Sequence, residues 1–234
     1  MKNKFGLLLL FLVLCTQAFS QVAGTTYTQR ISGQKIFNKE TGERIGDKEL
    51  QNLINRNPNI ILEPCVNKYG KVESFEVDPN RTSRVMQRDV SMRTPVGEEF
   101  PEFVMRTIDN KVLKSEKLRG KNILLQFQLS FAGPFFRETT LQNLSKLIGE
   151  LKSFSDFESI VVTESSKQEV FNTINVEDYE FNIVADGRNF YQRYLLVNFP
   201  ELVLVDATGK LMGYYNQTEI SKLKTDLKRL TNSN

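Results

Sequence analysis

The chain has 234 residues, 40% hydrophobic and 25% charged, with a formal net charge of +3, which is enough apolar material for one or two globular cores. It contains no histidine, so it lacks the commonest metal ligand, the usual general base and any Ser-His-Asp triad. The near-neutral balance gives no electrostatic footprint for nucleic acid.

The N-terminus reads as a targeting segment. Lys2 and Lys4 form a basic start, Leu7 to Leu14 is an apolar run too short for an ordinary membrane span, and Ala18-Phe19-Ser20 offers small residues for cleavage. A signal peptide over residues 1–20 is expected, with the mature chain starting at Gln21 and exported to a periplasmic or extracellular compartment. The alternative is a lipid anchor on Cys15, against which stands the bulky Leu14 where a small residue is wanted. Loss of Lys2 and Lys4 takes the formal charge from +3 to about +1. Export permits disulfides, but Cys65 is then the only thiol, and an internal disulfide is impossible. No later stretch approaches a membrane span, so no transmembrane helix is expected in the mature chain.

Residues 21–30 are polar and aperiodic. Lys35 to Asn38 reads as a short strand and Glu40-Thr41-Gly42-Glu43 as a turn. Asp47 is a candidate N-cap for a helix carrying Leu50, Leu53 and Ile54 and stopped by Asn57-Pro58. Ile60-Ile61-Leu62 reads as a strand, Lys68 to Lys71 as a turn, and Val72 to Val77 as the returning strand. These elements predict a small α+β module over residues 27–78, too small to bury much area alone and so expected to pack on a larger domain. Residues 79–93 carry Arg81, Arg84, Arg88 and Arg93. They read as a solvated linker, the sharper alternative being a site for an anionic partner.

The larger domain is expected over residues 94–231. It opens on Val96-Gly97-Glu98-Glu99-Phe100-Pro101-Glu102-Phe103, followed by a hairpin around Asp109-Asn110. Lys121 to Leu129 is an apolar run that reads as a buried strand. It enters the turn Ser130-Phe131-Ala132-Gly133-Pro134-Phe135, and an amphipathic helix with Leu141, Leu144, Leu147, Ile148 and Leu151 on one face follows. Phe157 to Val162 and Phe181 to Ala185 read as strands. Between them lies a helix over 165–174, with Val170, Phe171 and Ile174 on one side. A short helix over 188–197 precedes Phe199-Pro200 and the strand after it. Thr208-Gly209 turns that strand into a partner. The last helix is announced by Asn216 with Glu219 three residues on, a capping-box pattern, and by Ile220, Leu223, Leu227 and Leu230.

The ordered set of entry segment, strand–turn–helix, Phe-Pro strand and terminal helix resembles the thioredoxin-like proteins of the exported thiol–disulfide oxidoreductase and peroxiredoxin-like (redoxin) group. The resemblance implies an α/β fold with a mixed central sheet flanked by helices, in the order β-α-β-α-β-β-α. In that family the turn reads Trp-Cys-Gly-Pro-Cys, with the first Cys at the helix N-terminus, where the helix dipole supports a thiolate. Here Phe131-Ala132-Gly133-Pro134-Phe135 stands in its place. Ala132 has nothing to ionise and Phe135 replaces the resolving Cys, so dithiol exchange and peroxide reduction cannot run on these atoms.

The resemblance also implies a cis Pro200 preceded by Phe199, facing the turn across a shallow groove that receives an extended peptide by strand addition. Phe131 and Phe135 would flank that groove, unless both point into the core. The expected function is therefore a redox-inactive module for a protein or peptide partner, with no catalytic residue, cofactor or metal. Two alternatives remain: a thiol oxidoreductase or peroxidase using Cys65, and a structural envelope protein. Ser130 would need a base such as Glu138, with Arg137 nearby, to act as a nucleophile; otherwise it caps the strand end. Cys65, after Pro64 in an apolar stretch, reads as a half-buried inert thiol or a free thiol open to mixed disulfides.

Overall fold

The computed structural model describes residues 33–83, 88–134, 136–152 and 157–232. The expected signal peptide, Arg84 and Phe135 lie outside the described residues. Residues 34–234 group as one compact unit.

The unit begins with β1 (Ile36–Asn38), α1 (Asp47–Arg56), β2 (Glu63–Val66) and β3 (Val72–Val77). β3 is the centre of a three-stranded sheet, parallel to β1 and antiparallel to β2. Two local expectations shift. Asp47 is the first helical residue, and Gly46 is the cap, without a side-chain bond; an acid there still favours the positive helix end. The strand expected at Ile60-Ile61-Leu62 forms instead over Glu63–Val66. Pro64 fits because β2 is an edge strand, where a missing N–H costs no ladder bond.

This small sheet is bonded into the rest of the unit. Lys68 O accepts from Val104 N at 2.7 Å, Val66 O from Arg193 Nη1 at 2.7 Å, and Gly70 O from Asn189 Nδ2 at 2.8 Å. Gly70 has a positive φ of 71°, and a Cβ there would meet the Phe190 ring at 2.8 Å, so the turn needs glycine for both conformation and contact.

The larger part follows the expected element order. After the hairpin β4 (Val104–Arg106) and β5 (Val112–Lys114) come β6 (Asn122–Gln128), α2 (Glu138–Lys152), β7 (Phe157–Thr163), α3 (Lys167–Thr173) and β8 (Asn182–Val184). Then come α4 (Arg188–Arg193), β9 (Glu201–Val205), β10 (Leu211–Asn216) and α5 (Ile220–Asn232). The sheet order is β10-β9-β6-β7-β8, with β6, β7 and β8 parallel and β9 and β10 antiparallel.

β6 is buried along its whole length, and its alternation divides the core. Ile123, Leu125 and Phe127 face one cluster with Phe190, Tyr191 and Tyr194 of α4's region. Leu124 faces the other, with Leu141, Leu144 and Ile148 of α2 and Leu223 and Leu227 of α5. Burying each such side chain stabilises by roughly 1.5–3 kcal/mol. The Asn216–Glu219 capping box is present and opens a short 3-10 turn that leads into α5. Phe171 departs from its expected face. It is 45% exposed, with the Lys167 ammonium over its ring, while Val170 and Ile174 carry the burial.

Within residues 88–93, Asp89 to Met92 are exposed, as a linker would be, but the flanking arginines are half-buried and do not await an anion. Arg88 Nη1 bonds Leu196 O and Nε bonds Gln192. Arg93 donates to both Glu201 oxygens, at 2.7 and 3.1 Å, and to Leu195 O. Arg81 pairs with Glu63. Buried carboxylate and carbonyl acceptors far away in sequence claim these cations, a pairing that local charge patterning does not reveal.

Candidate functional site

β6, the central strand, ends at Gln128, and past its carboxyl end the turn and the Phe199-Pro200 loop approach each other. The Phe199–Pro200 peptide is cis, and so is Gly133–Pro134. Pro134, Arg137 and Thr140 on one side and Phe199, Pro200 and Gln217 on the other line a cavity of about 270 Å³ floored by Gln128 and Leu129. The turn and the proline loop are thus brought together.

The turn itself departs from expectation in two ways. First, Ala132 is not at a helix N-terminus: α2 begins only at Glu138. The reason is visible in the turn's anchors. Phe131 is 1% exposed, sits in the α2/α5 core and stacks on Phe136 at 5.1 Å. Its N–H donates to Ser165 Oγ at 2.9 Å, and Ala132 N–H donates to Ser130 Oγ at 2.9 Å. These bonds hold the segment as an irregular loop before the first helical turn. Second, Phe131 does not flank the groove, because its ring fills the core. Ala132, Gly133 and Pro134 are exposed, and Phe199 packs on Tyr191 at 5.0 Å while lining the cavity.

Ser130 serves the backbone. Besides accepting from Ala132, its Oγ lies 3.4 Å from Ser165 Oγ. Glu138, the base weighed for it, instead accepts from Gln142 and from the Tyr179 hydroxyl. Cys65 sits on β2, opposite Ser74, in the three-stranded sheet rather than beside the turn. Burial pushes its thiol above the ordinary value, the Ser74 hydrogen bond opposing, so little thiolate forms at neutral pH. Among the described residues, no group of three or more His, Cys, Asp or Glu side chains gathers as a metal site.

Two residues missed from sequence, Glu201 and Arg93, hold the loop before Pro200, and a third, Gln126, is buried beneath it. Glu201, almost fully buried, takes Arg93 in a two-bond pair and also accepts from Val197 N and Asn198 N at 3.3 Å each, which fixes the loop ahead of Pro200. Gln126, 2% exposed, has a side-chain nitrogen sealed from solvent and without a hydrogen-bond partner among the described residues. The signal for Glu201 and Gln126 was available: each is a polar residue inside an apolar strand run. For Arg93 there was none.

Fold and turn together define a thioredoxin-like fold, similar to that of thiol–disulfide oxidoreductases, in which the turn lacks the Cys-x-x-Cys pair. Thioredoxin-like protein YneN of Bacillus subtilis is 22% identical over 131 residues, spanning 54% of this chain and 74% of that protein. Thiol-disulfide oxidoreductase ResA of Halalkalibacterium halodurans is 26% identical over 119 residues, 50% of this chain and 65% of that protein. In fold, the chain is similar to a candidate protein disulfide isomerase from Bacteroides thetaiotaomicron, with a TM-score of 0.50 and 23% identity over 59% of this chain and 91% of that one. It is similar also to a candidate thiol:disulfide interchange protein DsbE from Chlorobium tepidum, with a TM-score of 0.50 and 17% identity over 58% and 98% of the two chains. No protein-family model matches the chain. Among the described residues, no helix is long and apolar enough to cross a membrane.

Proposed function

We propose that this chain is an exported thioredoxin-like protein that binds an extended peptide between the Ala132-Gly133-Pro134 turn and Phe199-Pro200, without redox chemistry at that turn. The observation that carries the reading is the open cavity between Pro134 and cis Pro200, walled by residues that hold no sulfur. A groove whose walls are already held in place loses little freedom on binding, which favours affinity.

A phage-displayed peptide library selected on the mature chain tests this. Recovered peptides should lose at least about tenfold in affinity when Thr140→Trp blocks the cavity, a change of about 1.4 kcal/mol, with circular dichroism unchanged. Equal binding to the blocked variant would place recognition elsewhere. A second reading is favoured by the names of the sequence relatives: a thiol oxidoreductase using Cys65. Insulin reduction or hydrogen peroxide consumption that disappears in Cys65→Ser would establish that reading instead.

A further inference from the structure

We propose that the cleft between α2 and α5 continues the peptide groove and selects an acidic segment of a partner protein, one with two carboxylates flanking an apolar side chain. The inference rests on the peptide-binding reading above. The cleft encloses about 540 Å³ and shares Thr140, Pro200 and Gln217 with the cavity at the turn. From Thr140 it runs along α2 as far as Glu150, so a chain crossing Pro200 has a path to follow.

Charge chooses the occupant. Arg137 at the turn and Lys146 and Lys224 along the cleft are exposed, and none of the three is in an ion pair among the described residues. Glu150 is the one carboxylate among the described residues that line either cavity. α5 adds Lys222, Lys228 and Arg229 against Asp226 alone, so this helix carries a net +3, while residues 21–234 together carry +1 once Lys2 and Lys4 are set aside. Positive charge is thus gathered on the helix that forms one wall of the cleft. Leu147 and Ile220, both half-buried, give the cleft apolar contact. A basic segment would be repelled, and a wholly apolar one would leave the cations unused. An acidic segment with an apolar residue between its carboxylates uses both. The spacing follows from backbone geometry. Arg137 and Lys146 stand about 13 Å apart along the helix direction, at about 1.5 Å per residue. An extended chain covers that in about four residues, at about 3.3 Å each. Alternate residues of such a chain share one face, so the pattern is acid, apolar, acid at every second position.

The chain contains no tryptophan, so a tryptophan in the peptide reports binding without background. Short peptides centred on Asp-Ser-Trp-Ser-Asp, Asn-Ser-Trp-Ser-Asn or Lys-Ser-Trp-Ser-Lys, titrated with the mature chain, test the proposal. The Asp peptide should bind on the order of tenfold tighter than the Asn peptide, as two or three exposed ion pairs allow, with its emission shifted to the blue. At about 1 M salt, where the Debye length is about 3 Å, that advantage should vanish. In Lys146→Glu/Lys224→Glu the order should invert, the Lys peptide becoming the tightest. The same charge change in Lys48→Glu/Lys71→Glu, at residues that line neither cavity, should keep the wild-type order. Inversion in that control would trace the preference to overall charge and overturn the cleft. Three peptides bound equally, or none bound, would overturn the acidic partner, and the peptide library with its Thr140→Trp block then decides the groove on its own. Tighter attachment to phosphatidylglycerol vesicles than to the Asp peptide, abolished in Lys146→Glu/Lys224→Glu, would assign the face to a lipid surface and overturn the peptide occupant.

Discussion

Arg93 is the residue whose removal should cost the site most. Its guanidinium reaches both oxygens of Glu201, bonds Leu195 O at 3.0 Å and lies 4.7 Å from the Tyr214 ring centre. The side chains are 12% and 3% exposed, so the pair is screened little by water. In Arg93→Leu, Glu201 keeps only the two 3.3 Å bonds from Val197 and Asn198. Breaking a buried pair by removing one partner costs about 3–5 kcal/mol. At about 2–4 °C per kcal/mol for a chain of this size, the midpoint should fall on the order of 10 °C. Adding Glu201→Gln should recover much of the loss, because glutamine still accepts from the loop amides but buries no charge. Urea titrations of the wild type, both single variants and the double variant give the coupling directly. A coupling below about 0.5 kcal/mol would mean that the pair behaves like an exposed salt bridge and would refute the claim that it fixes the loop before Pro200.

Installing the missing sulfurs should not install the chemistry. In Ala132→Cys/Phe135→Cys, residue 132 still precedes α2 without belonging to its first turn, so its thiol should titrate near the free value of about 8.5 rather than well below it; absorbance of the thiolate at 240 nm against pH reads this, and a strongly depressed value would show that the turn can join the helix. Alkylation of Cys65 in the native chain should be slow at neutral pH and speed up only above the ordinary thiol range, since burial raises its pKa; a rate like that of free cysteine at pH 7 would contradict the structure. For Glu63, burial alone would raise the carboxyl, but hydrogen bonds and charge from Lys39 and Arg81 outweigh it and hold the pKa below the ordinary 4.5. A depressed folded-state value contributes stability above the unfolded pKa and loses it as pH falls through the folded one. The stability gap between wild type and Glu63→Gln should therefore be full at neutral pH and close below about 4.5, and a gap independent of pH would deny the pairing.

What could be read from the sequence was what repeats along it. The alternating strands and 3-4 spaced helices of the larger part, the capping box at Asn216 and the Phe199-Pro200 strand entry all carry their signal within a few residues. The errors came from effects that act across the chain. The anchoring of Phe131 depends on Ser165 and on Phe136, so a turn aligned with a helix start became a loop. Arg88 and Arg93 looked like free charges because their acceptors lie about a hundred positions away. Ile60-Ile61-Leu62 looked more like a strand than Glu63-Pro64-Cys65-Val66, yet pairing with Val72–Val77 selected the latter.

The two walls of the groove are held by separate devices, and neither uses a thiol. Ser130 and Ser165 fasten the turn through its own amides, and the Arg93–Glu201 pair fastens the loop before Pro200. In a dithiol enzyme the same turn must change its covalent state in every cycle, and the helix end must stabilise a thiolate. Here the helix end stands further along the chain, and the turn spends its hydrogen bonds on a fixed shape. A site built this way gains from being already in its binding conformation. The proposed peptide groove asks for such a fixed shape, whereas dithiol exchange asks for a turn that can change its covalent state.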